Sequence, residues 1–293
     1  MFCNSLTFSK EVDAPEVIGK LVGEGLREAL KRRGVQAPDR IVLLNDTTAT
    51  LLSGLIEMRD AGTGPAVGAI LGTGYNTAYP EKYIRKTGFE SAENPQIVVC
   101  ETGTFAHRYQ GYLDKEFDQT TKNPGTYLLE KACSGAYLGP LTLHIIQQAI
   151  RDRILNFKKA EEVSAWTTLQ TRDLNIFLRG QTNPDNPLYN LFGPDESEAR
   201  SSFLYLNTII IERAALLAAA PIAAAVRRIA HYDPESPVRI AIEGTTYLIY
   251  KGMRNALDSW LHTMLDVDKP HPYLIAPVDQ ASLFGAAVAA LTR

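Results

Sequence analysis

Cysteine is scarce and irregularly placed: the chain has three, Cys3, Cys100 and Cys133, an odd number with no Cys-x-x-Cys spacing. Such a set excludes a disulfide framework and a structural zinc site, and it predicts a reducing, cytoplasmic setting. The five histidines, His107, His144, His231, His262 and His271, are scattered without a His-Glu-x-x-His spacing, so no protein-held metal is expected. An excess of one charge is lacking too. Thirty Lys and Arg against 33 Asp and Glu leave a formal charge of −3, which excludes bulk attraction to nucleic acid or an anionic membrane. The longest basic run, Lys31-Arg32-Arg33, falls where a helical pattern ends, and cations there offset the helix dipole. The most apolar run, residues 214–226, is too short to span a bilayer, is interrupted by Pro221 and is flanked by Arg213 and Arg227; a buried helix is expected. Residues 1–5 carry neither a basic leader nor a long apolar region, so no secretion signal is expected. Repeats of fixed period are missing.

What is there is an ordinary globular composition, 45% hydrophobic and 22% charged over 293 residues, enough for one large domain or two modest ones. Asp13 with Glu16 forms a capping box, and Ile18, Leu21, Val22, Leu26, Ala29 and Leu30 recur at helical spacing until Gly34, which predicts a helix over residues 14–33. Short apolar runs predict strands at 41–44, 66–71, 97–100, 238–242 and 274–278. Helical periodicity covers 48–56, 137–155 and 196–230, and each of the last two strands is followed by a helix. Gly62, Gly64 and Pro65 mark a boundary, and the Asn-, Pro- and Asp-rich stretch 180–195 reads as a surface loop. Alternating strands and helices imply an α/β fold with a mainly parallel sheet.

In such a sheet, side chains at the carboxyl ends of strands face the crevice where ligands bind. The strand at 41–44 ends in Asn45 and Asp46, and the one at 66–71 ends in Gly72, Thr73, Gly74 and, shortly after, Asn76. Asn45, Asp46 and Asn76 would therefore converge on one hydroxyl-bearing molecule, while glycines at 72 and 74 let backbone N–H groups approach an anion. Asp46 is the candidate base; the alternative is that Asn45 and Asp46 form an Asx turn or N-cap for the following helix. The Gly-x-Gly is not a dinucleotide fingerprint, since Thr77 stands where a third glycine is required.

Thr7-Phe8-Ser9-Lys10, Asn45-Asp46-Thr47, residues 71–76, Glu101 with Gly103 and Phe105, and residues 130–139 (Glu-Lys-Ala-Cys-Ser-Gly-Ala-Tyr-Leu-Gly) occur in the order found in hexokinases, and the chain resembles that family on these motifs. The resemblance implies an actin-like, ribonuclease-H-like sugar-kinase fold. Residues 66–278 would form the large domain, and residues 1–65 with the last helix, 279–293, part of the smaller one. It implies transfer of the γ-phosphate of ATP to the 6-hydroxyl of a hexose such as glucose, with Asp46 as base. Ser9, Lys10, Asn45, Asn76, Glu101 and Glu130 would hold the sugar. Gly72, Thr73 and Gly74 would grip phosphate, and more loosely Gly244, Thr245 and Ser282 would lie on the nucleotide side. Mg2+ would arrive with the nucleotide, held mostly by phosphates and water.

Two departures accompany the likeness. Glu243 stands where the family commonly has aspartate, and Leu283-Phe284 where glycine and a basic residue are frequent. The family's upstream Asp-x-Gly-Gly-Thr-x-x-Arg turn has no counterpart here, so the match implies about the C-terminal two-thirds of a hexokinase. A complementary N-terminal fragment or a second copy of the chain is then an expected partner. Two other functions stay open: a non-catalytic sugar-binding or regulatory module, and another ATP-dependent kinase of the actin-like superfamily.

Overall fold

The computed structural model describes residues 15–57, 64–90, 94–267 and 270–292. In chain order the elements are α1 (Val22–Arg32), α2 (Asp46–Glu57), β1 (Ala66–Leu71), β2 (Tyr75–Glu81), β3 (Tyr83–Ile84), β4 (Phe89–Glu90), β5 (Gln96–Val99), α3 (Tyr112–Thr120), α4 (Leu128–Cys133), α5 (Gly135–Arg151), α6 (Ala160–Ser164), α7 (Thr171–Leu178), α8 (Ser197–Tyr232), β6 (Val238–Glu243), α9 (Thr245–Ile249), α10 (Met253–Asp266), β7 (Tyr273–Pro277) and α11 (Ala281–Leu291).

The sheet is ordered β5-β2-β1-β6-β7. β1, β6 and β7 run parallel, whereas β2 is antiparallel to both β1 and β5. Four of the five strands therefore run the same way, as expected of a mainly parallel sheet, and the exception is the reversal of β2. Its cause is the three-residue turn after β1, which returns the chain as a hairpin where a helical crossover would have kept the strands parallel.

β1 is apolar along its whole length because both of its faces are covered. Val67, Ala69 and Leu71 join the main core, to which α8 contributes Ala214, Ala218, Ile222 and Val226. On the opposite face Ala66 packs with Leu51 of α2. At Gly68 the helix comes closest: an added Cβ would lie 2.6 Å from Thr47 O and 2.6 Å from Leu51 N. α8 is long and apolar enough by length and composition to cross a membrane, but 61% of its most apolar window is buried inside the protein. It is the central core helix expected for residues 196–230.

Two expectations fail at the N-terminal end. A helix over 14–33 is replaced by a 3-10 turn at Pro15–Val17 and α1 from Val22, because Gly19 at φ +77° interrupts the path. α1 has no side-chain cap, and Asp13 of the supposed capping box lies outside the described residues. Residues 41–44 form no ladder, since among the described residues no strand lies beside them to pair with, and they remain half-buried, irregular chain. α2 begins at Asp46, two residues earlier than its apolar pattern starts, and α11 crosses it with Gly285 against Ala49.

Candidate active site

Four chain segments end around one cavity of about 420 Å³. The N-terminus of α2 brings Asn45 and Asp46, β2 brings Tyr75 and Asn76, the turn after β5 brings Glu101, and α4 brings Glu130. Asn45 Oδ1 accepts a hydrogen bond from Thr47 N at 2.9 Å, and Asp46 Oδ1 accepts from the same N–H at 2.8 Å. Asn45 therefore does cap α2, as the alternative reading expected, while both side chains are exposed and line the cavity. The two readings coexist.

Opposite them, Asn76 is fixed by three contacts. Its Oδ1 accepts from Thr77 N (2.8 Å) and Thr102 N (3.1 Å), and its Nδ2 donates to Glu101 Oε1 (3.2 Å). Glu101 holds a left-handed backbone, φ +49°, which costs a non-glycine residue on the order of 1–2 kcal/mol. The turn is retained because Thr104 donates to the Glu101 carbonyl through N (3.0 Å) and Oγ1 (2.7 Å). Glu130 is 3% exposed, and its Oε2 accepts from Tyr75 N at 2.9 Å. Gly103 makes room for it, since a Cβ there would lie 3.0 Å from Glu130 Cβ and 3.1 Å from Glu130 Oε2. Burial raises the Tyr75 phenol well above its ordinary pKa, so the hydroxyl stays protonated and donates to Ala218 O.

The cavity thus presents three carboxylates and two amides. That set accepts hydroxyl protons and donates amide hydrogens, which suits a molecule with several hydroxyl groups. Among the described residues no lysine or arginine lines it.

Thr73 lines this cavity and also a second one of about 390 Å³, bounded by Gly135, Ala136, Thr171, Arg172, Asn175, Thr245, Thr246, Ile249 and Tyr250. The turn between the two is pinned by backbone contacts: Gly72 O accepts from Gly135 N (2.8 Å) and Thr246 Oγ1 (2.8 Å), and Thr73 O accepts from Ala136 N (3.0 Å). Gly244, at φ +116°, packs so closely that a Cβ would lie 2.4 Å from the Leu71 carbonyl carbon. Only glycine is tolerated there.

Asn45, Asp46, Thr73, Gly74, Asn76, Glu101 and Glu130 line the first cavity, and Thr73 and Thr245 line the second. Gly72 and Gly244 supply the backbone between the two. Ser282 lines neither: its N and Oγ donate to Glu243 Oε2, which also accepts from Thr50 Oγ1 at 3.2 Å. Ser9 and Lys10 lie outside the described residues. Thr171, Arg172 and Asn175 at the start of α7 were missed, since a polar residue at a helix start carries no motif that would mark it out. No group of three or more His, Cys, Asp or Glu side chains among the described residues is spaced to hold a metal ion.

Residues 66–292 match the family model for hexokinase. A hexokinase from Schistosoma mansoni is 31% identical over 256 residues, which is 82% of this chain and 54% of that protein. The structure of a Schistosoma mansoni hexokinase complexed with glucose superposes with a TM-score of 0.73 at 25% identity, covering 97% of this chain and 66% of the other. A ROK family glucokinase from Streptomyces griseus, solved with glucose and AMPPNP, shares the fold at TM-score 0.50 and 17% identity, covering 98% of this chain and 76% of the other. This chain therefore spans about half the length of the Schistosoma relative it matches and has the actin-like sugar-kinase fold. With residues 66–292 covered by the family model, the chain belongs to the hexokinase family.

Proposed function

We propose that the chain binds a hexose in the carboxylate-lined cavity and serves the transfer of a phosphoryl group from ATP to the sugar's 6-hydroxyl. The observation that carries this reading is the convergence of Asn45, Asp46, Asn76, Glu101 and Glu130 on one cavity that shares Thr73 with a second. Glu101, Glu130 and the two asparagines hold the sugar hydroxyls and orient the acceptor. Asp46 is the base: it takes the hydroxyl proton as the oxygen attacks. Thr73, Gly72 and Gly74 receive the phosphate end of the donor, and the cavity beside Thr245, Arg172 and Asn175 takes its nucleoside. ATP supplies the phosphoryl group, and Mg2+ enters with its phosphates rather than through a protein ligand set. Residues 66–278 act as the large domain, with the N-terminal segment and α11 belonging to the smaller one. A cytoplasmic setting is part of the same proposal.

A positioned base contributes about 10²–10⁴-fold to such a reaction. Asp46→Asn is therefore expected to lower kcat by about that factor while glucose affinity stays within a few-fold. Turnover retained by this variant would overturn the assignment of the base. A second reading, a sugar-binding or regulatory module, draws on the chain's coverage of only 54% of the Schistosoma relative. Glucose binding without phosphoryl transfer, alone or with a complementary N-terminal fragment or second copy, would favour it.

A further inference from the structure

Read alone, Glu130 beside Lys131 is a solvated helix-face pair, yet both are buried: Lys131 is 5% exposed, as deep as Asp118 at 6%. Lys131 Nζ donates to Asp118 Oδ1 at 2.5 Å and to Asn123 O at 2.8 Å, while Asp118 Oδ2 accepts from Gly125 N at 2.8 Å. One ammonium–carboxylate pair therefore joins α3, the loop that follows it and α4. Neither charge lines the hexose cavity.

α4 has only six residues, fewer than two turns, and a helix that short does not hold itself. Its orientation comes from what its side chains grip. Adjacent residues on a helix diverge by about 100°, so the residue next to Glu130 is the one that anchors the helix away from the cavity.

We propose that Lys131, through Asp118, is a positioning residue for Glu130: the buried pair sets the direction of α4 and with it the place of the Glu130 carboxylate in the cavity. This rests on the reading of that cavity as the hexose site. Lys131→Met leaves Asp118 buried and uncompensated, so it lowers the thermal midpoint and, by freeing α4, weakens glucose binding at least tenfold. The double variant Asp118→Leu/Lys131→Met removes both charges, and replacing a buried pair by apolar side chains commonly restores stability. It is expected to regain most of the thermal midpoint without regaining glucose affinity, a separation that mere core filling would not give. Calorimetric titration of glucose with parallel melting curves reads both quantities. Either variant binding glucose within twofold of the unsubstituted chain overturns the proposal. An unsubstituted chain that fails to bind glucose instead overturns the hexose-site reading on which it stands.

Discussion

Replacing Gly103 with alanine inserts one methyl group between two walls of the carboxylate-lined cavity. Gly103 is the buried centre of the 3-10 turn Thr102–Thr104, and a Cβ there lies 3.0 Å from Glu130 Cβ, 3.0 Å from Tyr75 O and 3.1 Å from Glu130 Oε2. Its backbone is not left-handed, so alanine is conformationally allowed and gains about 0.4–1 kcal/mol from the reduced freedom of the unfolded chain. Against that stand contacts several tenths of an ångström inside the carbon optimum of about 3.5–4.0 Å. Tyr75 is paired with Leu71 in the β1–β2 ladder and cannot yield. Glu130 is the softer neighbour and moves, at the expense of its hydrogen bond from Tyr75 N. A hydrogen bond to a charged group contributes about 1.5–3 kcal/mol, and overpacking costs about 1–3 kcal/mol. The net expectation is a loss of about 1–3 kcal/mol in stability, at roughly 2–4 °C per kcal/mol for a chain of this size. Glucose affinity should drop about tenfold or more, each tenfold corresponding to about 1.4 kcal/mol. Melting curves and calorimetric glucose titrations measure the two effects. Unchanged affinity and an unchanged melting point together would refute the packing of Glu130 against this turn as a determinant of the site.

At the crossing of α2 and α11, a Cβ on Gly285 would lie 1.8 Å from Ala49 O, so Gly285→Ala should destabilise by about 3 kcal/mol, read as a lower denaturant midpoint; a neutral outcome would contradict that crossing. Burial pushes the His107 imidazole below its ordinary pKa. The folded chain then binds fewer protons than the unfolded one, so this group's stabilisation is present above the unfolded value of about 6.5 and is lost as pH falls through the folded one. Urea unfolding at neutral and mildly acidic pH should show a steeper loss for the unsubstituted chain than for His107→Gln, and equal slopes would count against a buried neutral imidazole. Burial also pushes the Cys133 thiol up, while Cys100 is exposed. Peptide mapping after alkylation of the folded protein should find Cys100 modified and Cys133 intact, and early labelling of Cys133 would be inconsistent with the core.

β1 was legible because a doubly covered strand must be apolar throughout, and β6 and β7, interrupted by Arg239 and half-exposed respectively, were legible from their short apolar runs; all three lie within a residue of their expected places. β2 escaped notice for the converse reason. Its sequence, Tyr-Asn-Thr-Ala-Tyr-Pro-Glu, mixes polar residues into buried positions, and Glu81 is buried there because Arg228 pairs with it at 2.7 Å while Tyr79 Oη and Tyr83 N donate to it. At 41–44 an apolar run was legible but its pairing was not, since a ladder depends on a neighbour that the run does not specify. Asn45, Asp46, Asn76 and Glu101 were legible as cavity-lining residues because each stands at or just beyond the end of an expected strand, where ligands meet an α/β sheet, whereas Glu130, inside α4, was named only on the likeness to hexokinases. Arg172 and Asn175 were not, as only tertiary packing brings α7 beside the Thr73 turn. Ser282 lies off both cavities, its hydroxyl bonded to Glu243, a partner 39 residues away that local sequence cannot reveal.

The central claim is that one cavity gathers distant carboxylates around a hexose, and titration of glucose into the chain and into its Glu101→Ala/Glu130→Gln double variant tests it most directly. With each lost charge-assisted hydrogen bond contributing about 1.5–3 kcal/mol, saturable one-site binding to the unsubstituted chain and at least about a hundredfold weaker binding to the variant are predicted. Equal affinity in the two proteins, or no glucose binding by the unsubstituted one, would contradict the account.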